Sequence, residues 1–223
     1  MTNSFQILMK RREFTVLGLI VVLMVIFSLS TERFMSVSNI SNLLLQLSGV
    51  AISAIGMTMV IITGGIDVSA GSILGMASEV AGKFLMAGSS VFVVILSAIA
   101  TGFGIGILNG IIISYGNVPP IIVTLGMMNM IRALMYQVLG GRWVSGIPPN
   151  IRIIGLGKWL GIPYSMWITI ILITLFSYFL NSRSTGRAVY AIGNNPEAAR
   201  VSGVNIARTI LIVYSLTGLL VGF

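Results

Sequence analysis

Two long stretches of this chain carry no Asp, Glu, Lys or Arg: residues 34–66 and 84–131, runs of 33 and 48 residues. A soluble domain of that length exposes charged side chains, which make up about a quarter of an average globular protein. A helix that crosses a bilayer takes about 20 mostly apolar residues, so the longer run alone has room for two. Over the whole chain 56% of residues are hydrophobic and only 8% are charged. The expected fold class is therefore all-α, a polytopic transmembrane helical bundle.

The residue inventory also excludes chemistry. With no Cys and no His, disulfides, thiolate nucleophiles, zinc-finger ligation and Ser-His-Asp catalysis are out of reach, and no metal site is expected. No phosphate-binding Gly-x-x-x-x-Gly-Lys-Ser/Thr occurs, so ATP, if used, is bound by a different chain. The net charge of +8 does not point to nucleic acid. Basic residues sit singly or in short groups between apolar segments, as the positive-inside rule produces at membrane surfaces. An enzyme is not expected.

The apolar segments place the spans. Lys10-Arg11-Arg12 precede a first span at 14–30, longer than a signal-peptide core. Residues 31–42 read as a polar link, and 43–62 as a second span ending at Thr63-Gly64-Gly65. Ile73 to Ala87 is a short third span, 91–113 a fourth, 119–139 a fifth and, after a polar stretch at 140–161, 162–180 a sixth. Residues 181–208 form the longest polar section, followed by a seventh apolar run from 209 to Phe223. Its 15 residues reach roughly 22 Å, less than the ~30 Å hydrocarbon core, so the chain is expected to be a fragment or a truncated product. Six crossings put 181–208 on the side of the N-terminus. Lys and Arg number 7 on that side (Lys10, Arg11, Arg12, Arg183, Arg187, Arg200, Arg208) and 4 on the other (Arg33, Arg142, Arg152, Lys158), which makes the N-terminal side cytoplasmic if the short third span crosses.

Several polar features interrupt the apolar pattern. In Gly64-Gly65-Ile66-Asp67-Val68-Ser69-Ala70-Gly71-Ser72, paired glycines break a helix and free backbone groups that a membrane tolerates only in protein or facing water. Asp67 either caps the next helix, with Ser69 or Ser72 as alternatives, or contacts a solute. Gly102, Gly106 and Gly110 line one face of the fourth span, where another backbone can approach closely. Asn109-Gly110 leads to Pro119-Pro120, a helix start with Thr124 and Gly126 one turn in. Arg132 lies inside the fifth span, as a functional group or as a side chain snorkelling to the interface. Glu79 and Lys83 are spaced for an ion pair on the third span, structural or serving as a proton relay. In the polar section, Asn195-Pro196-Glu197 reads as N-cap, first helical position and an acid favourable to the helix dipole. Gly203 is placed to cap the far end of a short helix over 196–202. This helix is either a docking knob for a cytoplasmic partner or a solvated connector.

On these residues the chain resembles the permease subunit of a bacterial ABC importer for sugars, the ribose/xylose/rhamnose/autoinducer-2 type family, from about residue 14 onward. The likeness rests on Gly64 to Ser69 with Gly71-Ser72, on Pro119 to Gly126, and on Gly186-Arg187-Ala188 through Gly193-Asn194 to Glu197-Ala198-Ala199-Arg200 and Ser202-Gly203. It implies a cytoplasmic tail at 1–13 and a permease domain at 14–223 with a coupling loop at 181–208. It also implies a bacterial inner-membrane location, a second permease subunit (the same or a different chain), a periplasmic solute-binding protein, and a cytoplasmic ATP-binding subunit that hydrolyses ATP. This chain itself would hold no cofactor. The resemblance assigns ATPase coupling to Gly193, Asn195, Pro196, Glu197, Ala198, Arg200 and Gly203. Candidates for the signature and translocation path are Gly64, Gly65, Asp67, Ser69, Gly71, Ser72, Asn109, Thr124, Gly126 and Arg132. Gly140 to Pro148 is reminiscent of the autoinducer-2 and rhamnose branches. The rival readings are an ion-coupled secondary transporter, which needs paired intramembrane ionisable groups, and a related permease for another solute such as branched-chain amino acids.

Overall fold

The structure, a computed structural model, describes residues 12–139 and 157–223. Lys10, Arg11, Arg142, Arg152 and the Gly140–Pro148 segment lie outside the described residues. The described chain forms nine helices: α1 (Arg12–Ser30), α2 (Val37–Ile62), α3 (Ala70–Met86), α4 (Val91–Ser114), α5 (Pro120–Leu139), α6 (Tyr164–Ser182), α7 (Ser184–Asn194), α8 (Pro196–Val201) and α9 (Ile206–Gly222). A small antiparallel hairpin, β1 (Lys158–Trp159) and β2 (Ile162–Pro163), precedes α6. Among the described residues three helices, α2, α4 and α6, are long and apolar enough to cross a membrane.

The helices fall where the apolar runs predict, with two differences. α2 begins at Val37, inside the segment expected to be a link. The Ser36 side chain accepts from the Asn39 amide at 3.2 Å, and the Asn39 side chain reaches back to the Phe34 carbonyl at 2.8 Å. Local capping therefore extends the helix into a polar sequence. The second difference is α7, a helix over 184–194 in the section expected to be loop. It buries Gly186, Val189 and Ile192, every third residue along one face.

α9, the run expected to be cut short, is the most enclosed helix of the bundle. It buries nine residues from Thr209 to Gly222 and packs chiefly on α4, then on α2 and α3. The glycines of α4 make the first contact possible. A Cβ on Gly102 would lie 2.7 Å from the Gly222 Cα, one on Gly106 3.0 Å from the Gly218 Cα, and one on Gly110 3.0 Å from the Leu211 Cα. Backbone thus meets backbone along an antiparallel seam, the close approach that small residues permit where dispersion drives helix association. On another face of α9, the buried Thr217 hydroxyl donates to the Gly56 carbonyl of α2 at 3.0 Å.

These contacts fix which loops share an end of the bundle. The start of α3 meets the last turns of α4 through Ser69 and Asn109, so those helices are antiparallel. α3 and α5 run parallel, joined by Val68 and Thr124 at one end and by Gly75 and Met135 further along. The short third helix therefore runs in the direction an alternating topology requires. Gly193 of α7 lies on the end of α2. The break after α2, the α4–α5 turn and the α7–α8 segment thus gather at one end.

Candidate functional site

The site is built around the break between α2 and α3. Gly64 adopts φ +78°, a left-handed conformation that costs glycine little. Its N–H bonds to the Ile61 carbonyl at 2.9 Å, and the Gly65 N–H to the Val60 carbonyl at 3.0 Å. This is the two-bond glycine stop that terminates many helices. The chain then crosses four residues before α3 begins.

Within those four residues, Asp67 is buried. Its Oδ1 accepts from the Ser69 N–H at 2.8 Å and the Ser69 hydroxyl at 2.6 Å. The Ser69 oxygen in turn accepts from the Asn109 side-chain amide of α4 at 2.9 Å. Ser69 is the N-cap of α3 by position but makes no side-chain capping bond; its hydroxyl donates to Asp67 and its oxygen accepts from Asn109 instead. The Asp67 side chain ties down the turn that enters α3. Thr124 of α5 closes the other side, accepting from the Val68 N–H at 3.2 Å and donating to the Ile66 or Pro120 carbonyl at 3.2 or 2.9 Å. Ser69, Asn109 and Thr124 have no solvent exposure. A polar break inside an apolar bundle is thus sewn to two neighbouring helices, and the Val68 and Ser69 N–H groups and the Ile66 carbonyl find the partners that a low-dielectric setting demands.

Of the ten candidate path residues, the structure brings Gly64, Gly65, Asp67, Ser69, Asn109 and Thr124 together. Ser72 is buried one turn into α3, and Gly71 faces open space beside it. Gly126 also faces open space, and Arg132 is exposed two turns beyond Thr124. Neither joins the cluster. Glu79 lies within electrostatic range of Lys83 further up α3, away from the break.

Tyr214 of α9 belongs to the site and carried no signal in the sequence, where it is one aromatic in an apolar run. It is fully buried, and its hydroxyl has no hydrogen-bond partner among the described residues. It presses on the break: a Cβ at Gly65 would lie 2.7 Å from the hydroxyl oxygen. Asn109 Oδ1 is likewise buried and unpartnered. Beside Tyr214, a cavity of about 230 Å³ opens between Gly64, Gly65, Ile113, Pro120 and Ile210.

At the same end, α8 rests on α7 and the start of α9 and turns an exposed face outward. Asn195 caps it, accepting from the Ala198 N–H at 3.0 Å, and Pro196 occupies the first turn. Gly203 at φ +83° ends it, with Gly203 and Val204 N–H groups on the Arg200 and Ala199 carbonyls at 3.0 Å each. Glu197 and Arg200 pair at 3.3 Å on its exposed face. Ala199 alone is buried. Val201, which sequence reasoning passed over, is 89% exposed, an apolar tip on a polar helix.

The geometry is that of a broken-helix membrane bundle with an outward knob, and comparison gives it a family. Residues 39–223 match the family described as branched-chain amino acid transport system / permease component. The chain belongs to that permease family. The permease is 38% identical over 205 residues to the ribose import permease protein RbsC of Escherichia coli, covering 90% of this chain and 64% of that one. It is 35% identical over 226 residues to RbsC of Haemophilus influenzae, 98% of this chain and 69% of that one. The autoinducer 2 import system permease protein LsrC of Escherichia coli is 32% identical over 207 residues, 93% of this chain and 60% of that one. The permease therefore spans less than two thirds of the length of the Escherichia coli relatives. No solved structure matches it.

Proposed function

We propose that the permease forms the membrane-embedded part of an ATP-driven importer that moves a sugar or sugar-like solute (a pentose, rhamnose or autoinducer-2) from periplasm to cytoplasm by alternating access. It sits in the bacterial inner membrane with its N-terminus and the α7–α8 segment in the cytoplasm. A separate ATP-binding subunit docks on α8 and hydrolyses ATP. A second permease subunit completes the pathway, and a periplasmic binding protein delivers the solute. The observation that carries this reading is the pairing of two features at one end of the bundle. One is α8, capped at both ends and presenting Glu197, Arg200 and Val201 to solvent; the other is the glycine break around Asp67. The first suits a docking partner and the second a movable element. Relatives that import ribose and autoinducer 2 supply the solute class.

The test is uptake in vesicles that hold the permease with its cognate ATPase subunit and binding protein. Labelled ribose should enter only with ATP. Glu197→Arg should abolish uptake and ATPase co-purification while leaving membrane insertion intact. Unchanged uptake in that variant would remove the docking role. Uptake that ignores ATP and collapses with the proton gradient would replace the proposal by an ion-coupled transporter. Uptake of leucine but not ribose would keep the mechanism and change the solute.

A further inference from the structure

We infer that Tyr214 is a specificity-determining residue, whose hydroxyl binds a hydroxyl group of a small neutral solute at the end of the bundle that holds the break; the inference rests on the sugar-import reading and names one contact within it. Tyr214 is held in place by the seam between α4 and α9. A Cβ on Gly106 would overlap the Tyr214 carbonyl, so this turn of α9 lies directly on α4. Tyr214 and Ile210, one turn apart, share the face of α9 that lines the cavity of about 230 Å³. That volume is below the roughly 300–1,000 Å³ of drug-sized ligand sites, and it suits a small solute.

The lining is of two kinds. Ile113, Pro120 and Ile210 make an apolar wall. Thr63, Gly64 and Gly65 bring backbone carbonyls that accept no hydrogen bond from the described residues. No charged side chain among the described residues lines the cavity. Apolar wall and unpaired acceptors together suit a neutral polyol, whose hydroxyls donate and whose C–H groups are apolar. They offer no ionic partner to the ammonium and carboxylate of an amino acid. Of the side chains that line the cavity, Tyr214 alone has a buried polar atom without a partner. A buried hydroxyl in that state costs the fold stability, and Phe would fill the same space without the cost, so packing does not account for the oxygen. The Gly65 backbone covers the hydroxyl in this conformation. It meets a solute only when the break and α9 separate, which makes the contact part of transport and not of the resting bundle.

Tyr214→Phe, compared with the unaltered permease in vesicles that hold the cognate ATPase subunit and binding protein, tests this with ribose and its monodeoxy analogues as probes. The kcat/KM of ribose uptake should fall about two- to tenfold, the worth of one hydrogen bond, while the melting temperature in detergent holds or rises. For the one analogue that lacks the contacted hydroxyl, the two proteins should be equal. For the other analogues the loss should match that of ribose. The preferences of the binding protein cancel, because it is the same in both arms. An equal loss for every sugar would overturn the inference by making the hydroxyl structural, and undiminished ribose uptake would overturn it outright. If the binding protein passes none of the analogues, ribose uptake and melting temperature decide together: slower uptake at an unchanged or raised melting temperature supports the inference, and a fall in both overturns it. Absence of ATP-driven ribose uptake by the unaltered permease is a separate outcome, and it removes the sugar-import reading beneath.

Discussion

The permease carries two polar interruptions at one end of its bundle, and they are built on opposite plans. The Asp67 break depends on residues far away in sequence. Asn109 is 40 residues on and Thr124 more than 50, and both are fully buried. The α8 helix depends on its neighbours alone: Asn195, Pro196 and Gly203 cap it, and its one ion pair is three residues apart. A buried polar group is costly unless partnered, so the break must be over-determined by the fold. A solvated helix can leave its polar face unpartnered. It follows that changes in the break act on the bundle, whereas changes in α8 act on whatever binds it.

Predictions that separate the two run from large to small effects on the folded bundle. Gly106→Leu should be the most damaging, at about 3 kcal/mol, because the α4–α9 seam has backbone on both sides and cannot repack. The check is loss of a monodisperse peak and a fall in melting temperature in detergent. Asp67→Leu should cost about 2 kcal/mol by stranding the Ser69 N–H and hydroxyl, with Asp67→Asn closer to the unaltered protein because it keeps one acceptor. Asn195→Ala should cost about 1 kcal/mol, confined to α8: amide exchange there should quicken while the melting temperature holds. Thr217→Val, which removes one hydrogen bond between buried helices, should cost about 0.6 kcal/mol. Val201→Asp should leave stability unmoved and abolish ATPase co-purification. A large loss of bundle stability from Asn195→Ala or Val201→Asp would erase the distinction between the two regions.

The same contrast explains what could be read from the sequence. The caps of α8 were legible because their partners lie close in sequence, and the long apolar helices α2 and α4 because charge-free runs have one physical meaning at that length. The α4 glycine face was legible as a contact surface, but its partner was not, since Gly218 and Gly222 lie more than a hundred residues on. Asn109 and Thr124 stood out as polar residues in apolar runs. Nothing local linked them to Asp67, and nothing marked Arg132 and Gly126 as outside the cluster. Tyr214 was invisible for the same reason. α7 was missed although Gly186, Val189 and Ile192 repeat at near-helical spacing, because the segment is short and flanked by the polar runs Asn181–Thr185 and Gly193–Glu197, so that the whole of 181–208 reads as loop. The early start of α2 was hidden in Val37 to Asn42, a polar sequence made helical by the Ser36 cap.

The central claim is that α8 meets an ATP-hydrolysing subunit at the end of the bundle that holds the break. Because the chain has no cysteine, a single introduced thiol can carry a photo-activated crosslinker to one known place. Val201→Cys puts it on the tip of α8, and Ser89→Cys puts it in the α3–α4 turn at the opposite end. In membranes containing the ATPase subunit, the account predicts a covalent permease–ATPase adduct from Val201→Cys and none from Ser89→Cys. An adduct from Ser89→Cys, or none from Val201→Cys, would contradict it.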